Sequence, residues 1–142
     1  MAEPQATSEK RSFPRSASCL PRIFAFMDAF FADAAIGEAH RAPMQFVVEE
    51  WFTNLVKYSR GGKRDILLEL EREPNRLVIR LTDFDVDRFD IRTAPDVDVT
   101  KDLRDRKPGG LGIHLLRRMV DHIDYEYVDG RSTTTFVKSL ER

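Results

Sequence analysis

Twice in this chain, two strand-length runs meet at a two-residue turn. "DILLELERE" and "RLVIRLTD" flank Pro74-Asn75, and "DYEYV" and "RSTTTFVKSL" flank Asp129-Gly130. Short runs rich in apolar and β-branched residues around such turns form hairpins. Two hairpins commit the chain to a mostly antiparallel sheet, and one face of that sheet needs an apolar cover. The cover is written in helical period. From Pro21, "PRIFAFMDAFFADAAIG" repeats apolar residues at positions 23, 26, 27, 30, 31 and 34, with Pro21 in the first turn and Gly37 as the stop. A second helix is expected after Pro43, running to about Tyr58 ahead of Gly61-Gly62. A third, "GGLGIHLLRRMVDHI", carries Ile113, Leu116, Met119, Val120 and Ile123 on one face. The order predicts an α+β fold in two layers, three helices on the sheet.

A length of 142 residues suits one domain with a real core. Residues 1–10 are polar and expected to be disordered, leaving a domain over 11–142, with "RSFPR" as a short edge strand. Residues 84–108 are charged, contain proline and keep neither period, which predicts a long loop. Loops of that length inside a domain are usually functional or disordered. A net charge of −1 gives no electrostatic case for nucleic acid or an anionic membrane. No apolar run approaches the roughly 20 residues that cross a bilayer, and the first residues lack the apolar core of a secretion signal. A cytoplasmic protein is expected. The single cysteine, Cys19, reads as a small buried hydrophobe.

Chemistry is concentrated at two places. On the second helix, Met44, Val47, Val48, Trp51, Leu55 and Tyr58 form an apolar face, and Glu50, Asn54 and Lys57 form a stripe beside it. A carboxylate and an amide oxygen one turn apart suit a hard cation such as Mg²⁺, and the same carboxylate can serve as a general base. The competing reading is a helix edge on which Glu50 pairs with Lys57 or another cation; Glu49 points to solvent. At the second place, Gly109, Gly110 and Gly112 open the last helix, where bare backbone and unpaired N–H groups favour a phosphate. A flexible loop with a tight helix entry would read the same way. Asp83 ends a strand, where it is either a turn residue or an acceptor for an adenine amine.

Taken in order, these pieces resemble the nucleotide-binding boxes of the GHKL ATPases. "VVEEWFTNLVKYS", "KPGGLGIHLLRRMVD" and "YEYVDGRSTTTFVK" are similar, more narrowly, to the RsbW-type anti-sigma factor serine kinases. The resemblance runs from about residue 12 to the C-terminus. It implies a Bergerat-type (histidine-kinase-like ATPase) sandwich that binds ATP with Mg²⁺. It also implies phosphorylation of a serine on a STAS-domain anti-anti-sigma protein, capture of a sigma factor, and a homodimer. Carried over residue by residue, Glu50 becomes the general base and Asn54 the Mg²⁺ ligand. Asp83 holds the adenine amine, Gly110 and Gly112 line the phosphates, Thr135 matches the last-strand threonine, and residues 86–108 are the lid. Arg88, Arg92, Lys101, Arg104, Arg106 and Lys107 of that lid are candidates to meet the triphosphate. Asp85 stands where the family has a glycine, which predicts a Cβ and a negative charge near the nucleotide; it is also the other candidate for the adenine aspartate. The rival implied by that departure is a contact-only binding module of the same fold.

Overall fold

The computed structural model describes residues 7–93 and 110–141. Along the chain these form β1 (Thr7–Phe13), α1 (Leu20–Asp33), α2 (Glu38–Tyr58), β2 (Ile66–Glu73), β3 (Arg76–Asp83), α3 (Gly110–Met119), β4 (His122–Val128) and β5 (Arg131–Ser139). Single 3₁₀ turns at Ala17–Cys19 and Ile91–Thr93 precede α1 and follow β3. The five strands lie in the order β1-β2-β3-β5-β4, and every neighbouring pair is antiparallel. Three helices on an antiparallel sheet is the α+β architecture that the two hairpins and three helical periods predict.

Both hairpins form at the expected turns. Asp129 and Gly130 take φ of 50° and 80°, the doubly left-handed geometry that matches strand twist. Strand alternation then sorts the faces. Leu68, Leu81 and Thr134 are cross-strand neighbours, as are Leu70, Ile79 and Phe136. Their side chains are buried against Ile23, Met27, Phe30 and Phe31 of α1 and Met44, Val47, Val48 and Trp51 of α2. Burying each such side chain contributes about 1.5–3 kcal/mol. Asp83 and Ser132, also paired, continue this covered face at one end of the sheet.

Several boundaries differ from the sequence reading, each for a local reason. β1 begins at Thr7, so residues 7–10, expected to be disordered, belong to a seven-residue edge strand. It ends at Phe13, before Pro14 and its missing N–H. α1 stops at Asp33 rather than near Gly37: Ala35 turns left-handed at φ 56°, and Ile36 N–H reaches back 2.9 Å to the Phe31 carbonyl. Gly37 instead caps α2, which starts at Glu38 with Pro43 inside it. The proline removes one intrahelical donor, and the buried run from Met44 to Leu55 outweighs that loss. Tyr58 is largely exposed rather than part of the apolar face, and Phe52 is buried in its place. Ile123 belongs to β4, since α3 ends at Met119. Cys19 is buried, its thiol donating to the carbonyls of Pro14 and Ser16, and burial pushes its pKa up, the state of an inert thiol. No helix among the described residues is long and apolar enough to cross a membrane.

Candidate functional site

α2 supplies the first two groups. Asn54 is buried, and its Nδ2 donates to the Glu50 carbonyl at 2.6 Å and to Glu50 Oε1 at 3.0 Å. Only the amide nitrogen can donate, so the amide is fixed with Oδ1 turned away from Glu50. Oδ1 accepts no hydrogen bond from the described residues, which leaves it open to a ligand. Glu50 is half-buried and has no ion pair with any described cation; Lys57 is exposed. The helix-edge pairing of Glu50 with Lys57 is absent.

α3 supplies the third group. Its third residue, Gly112, lies so close to Glu50 that a Cβ built there would overlap the carboxylate. Glycine at 112 therefore lets the carboxylate lie in this position, and its backbone φ is not left-handed. Leu116 and Ile113, buried beneath, hold α3 against α2. A carboxylate at this end of a helix is favoured by the partial positive charge of the first turn. Gly110 opens α3. Gly109 and residues 94–108 lie outside the described residues, and with them Lys101, Arg104, Arg106 and Lys107.

Asp83 ends β3, fully buried. Its Oδ1 accepts from Arg15 Nη1 and, at 3.0 Å, from the Phe84 N–H; its Oδ2 accepts from Ser59 Oγ at 2.8 Å. Arg15 also donates to the Leu55 carbonyl at 3.1 Å. Asp85 differs in kind. Its φ is 57°, the left-handed region that glycine favours, and its exposed side chain turns to Arg64 at 3.6 Å. Asp85 therefore adopts a backbone shape that glycine favours while its carboxylate sits on the surface. Asp83 and Asp85 are not interchangeable: one is the buried carboxylate, the other the turn.

Thr135 is not brought to these groups. It pairs with Arg80 and Asp124 on the sheet face away from the helices, because strand alternation puts Ser132, Thr134 and Phe136 on the covered face. Thr134, fully buried, is the threonine on the side of Asp83.

The first part of the loop after β3 is tied down. Val86 N–H donates to the Gly130 carbonyl at 3.0 Å, Asp87 N–H to the Arg60 carbonyl at 3.1 Å, and Tyr127 OH to the Val86 carbonyl at 2.7 Å. Tyr125 OH accepts from Phe89 N–H at 2.9 Å and from Ser132 Oγ at 2.8 Å. Phe89 sits edge-on to Trp51 of α2, with centroids 5.2 Å apart. Asp90 is buried, which pushes its carboxyl up, but hydrogen bonds from the Arg92 side chain and N–H and the charges of Arg92 and Arg88 outweigh this. The result is a carboxyl held below the usual range. Arg88 and Arg92 are thus engaged with Asp90, 3.7 and 3.0 Å away. Arg15, Ser59, Tyr125 and Gly62 are the contributors that sequence reasoning missed.

A family model described as the histidine kinase-like ATPase domain matches residues 13–138. No curated protein matches the chain. Among solved structures, the RsbU and RsbW domains of Rv1364c from Mycobacterium tuberculosis superpose with a TM-score of 0.65 at 10% identity, covering 93% of this chain and 32% of that one. The chain thus spans about a third of that neighbour, and the likeness is one of fold. The histidine kinase AdeS of Acinetobacter baumannii aligns with a TM-score of 0.49 at 14% identity, over 94% of this chain and 68% of its own.

Proposed function

The chain belongs to the histidine kinase-like ATPase domain family, and from that premise we propose an ATP-dependent serine-protein kinase that is also an anti-sigma factor. Its substrate would be a STAS-domain anti-anti-sigma protein, and its second partner a sigma factor, in a partner-switching pair of complexes built on a homodimer. The observation that carries the reading is the meeting of Glu50, Asn54 and Gly112. A carboxylate with no cation partner among the described residues, an amide oxygen that accepts from none of them and a side-chain-free helix start converge from two helices.

The residues fit a magnesium nucleotide. Among the described residues no three His, Cys, Asp or Glu side chains gather as a metal cluster. A cation here would take Asn54 Oδ1 and fill its other positions with phosphate and water oxygens, as Mg²⁺ does. Bound Mg-ATP would supply the γ-phosphoryl group and neutralise its charge. The bare Gly112 lets the Glu50 carboxylate lie against the start of α3, and a helix N-terminus favours phosphate. Glu50 orients the incoming serine hydroxyl and accepts its proton as the new oxygen–phosphorus bond forms and the bond to ADP breaks. The similarity of "GGLGIHLLRRMVD" to the anti-sigma kinases, with a fold shared with an RsbW-containing protein, supports the choice of partners.

One observation favours the contact-only reading: Asp83 already accepts from three donors, Arg15, Ser59 and the Phe84 N–H. A phosphotransfer assay with labelled ATP and a STAS-domain partner separates the two. The kinase reading expects transfer by the wild-type chain and a loss of about 10²- to 10⁴-fold in Glu50→Ala, with the partner complex retained. Near wild-type transfer by Glu50→Ala would remove Glu50 from the chemistry, and a complex without any transfer would leave a contact-only regulator.

A further inference from the structure

Asp83 is the carboxylate proposed to hold the adenine amine, yet its side chain has no exposed surface and is paired with Arg15. The guanidinium reaches across the fold from just after β1, pairs with Asp83 Oδ1 and donates to the Leu55 carbonyl. It rests against Gly62: a Cβ there would lie 2.5–2.7 Å from three guanidinium atoms and would displace the guanidinium from this position. Gly62 does not take a left-handed φ, so its backbone shape alone does not call for glycine. The α2–β2 connection thus provides a seat for the guanidinium beside Asp83, and nothing in the proposed chemistry uses it.

From this we propose that Arg15 is a latch on the base site, an autoinhibitory contact that adenine must displace. The proposal rests on the nucleotide-binding reading above. An ionised carboxylate offers about four acceptor positions. Three donors already use Asp83, and the guanidinium bond is charge-assisted where the amine of adenine is neutral. Adenine thus meets a competent carboxylate only in the fraction of molecules whose Arg15 has swung out. Apparent affinity falls by that fraction, and anything that draws Arg15 away raises it.

Calorimetric titration of the full chain with Mg-ATP and, separately, with adenosine tests this, comparing wild type with Arg15→Gln and Gly62→Ala. Gln removes the charge and keeps most of the stem; Ala at 62 evicts the guanidinium without deleting it, and so decides the matter if Arg15→Gln fails to fold by circular dichroism. The latch expects both variants to bind at least about tenfold tighter, by the same factor for adenosine as for ATP, since the device acts on the base. Loss of a positive charge acting on the phosphates would move ATP the other way and spare adenosine. Wild-type binding that the variants match or fall short of overturns the latch and leaves the nucleotide reading standing. No binding by any of the three, to about 10 mM nucleotide, overturns both.

Discussion

Asp85 shows how one residue can look wrong in a sequence and fit in the fold. As a letter it breaks the Asp-x-Gly box that the resemblance implies; as a backbone it adopts a left-handed φ of the kind glycine favours, and aspartate is among the side chains that tolerate it. Asp85→Gly should raise stability by roughly 0.5–1 kcal/mol in urea unfolding, since the exposed pair with Arg64 contributes little. A loss of stability would mean that the Arg64 contact outweighs the strain. At Gly112 the expectation reverses. Gly112→Ala should push Glu50 off its position and lower phosphotransfer by about 10²-fold or more, the range of a lost general base, while the fold survives; undiminished transfer would detach Gly112 from the site. Glu50 and Asn54 were legible because an i, i+4 pair needs only one helix. Arg15 was not: its partner is 68 residues away, and no local pattern marks it. The threonine run 133–135 likewise gives no phase by itself. Only its pairing with β3 shows that Thr134, not Thr135, faces the helices.

Helical and strand periods located the elements better than their ends. α1, α2 and α3 lie where the apolar spacing puts them, but an alanine took the left-handed cap expected of Gly37, and α2 absorbed Pro43 because buried apolar contacts exceed one missing hydrogen bond. The start of the loop after β3 had no legible structure, since its order comes from partners distant in sequence, Trp51, Arg60 and residues of the β4–β5 hairpin, rather than from its own pattern. Tyr125 is the clearest case: its hydroxyl holds both Phe89 N–H and Ser132. Tyr125→Phe should cost about 1–3 kcal/mol and speed hydrogen exchange at Phe89, because a buried donor is left without its acceptor. Unchanged exchange would place the anchor elsewhere. Asp90 adds a pH term. Its folded carboxyl is held below the ordinary value of about 4, so near that pH the unfolded chain binds more protons. The stabilisation is complete above about pH 4 and fades as pH falls through the lower folded value. Asp90→Asn should flatten that acid limb in unfolding series; an unaltered slope would contradict the pairing with Arg92.

At the scale of the molecule, the two hairpins and three amphipathic runs were enough to predict helices on an antiparallel sheet, because each pattern has one way to bury its apolar face. The strand order was not readable, since it depends on how β5 returns beside β3 after α3. That return is what makes the candidate site: it carries the glycine start of α3 to the polar stripe of α2, joining residues 50, 54 and 112 that no single element holds. The proposed role of this junction is to bind a magnesium nucleotide. Its most direct test is calorimetric titration of the wild-type chain with ATP, with and without Mg²⁺, beside Asn54→Ala. The account predicts saturable binding that Mg²⁺ strengthens in the wild type and leaves unchanged in Asn54→Ala. Absence of saturable heat in either condition, or an Mg²⁺ effect of equal size in Asn54→Ala, would contradict it.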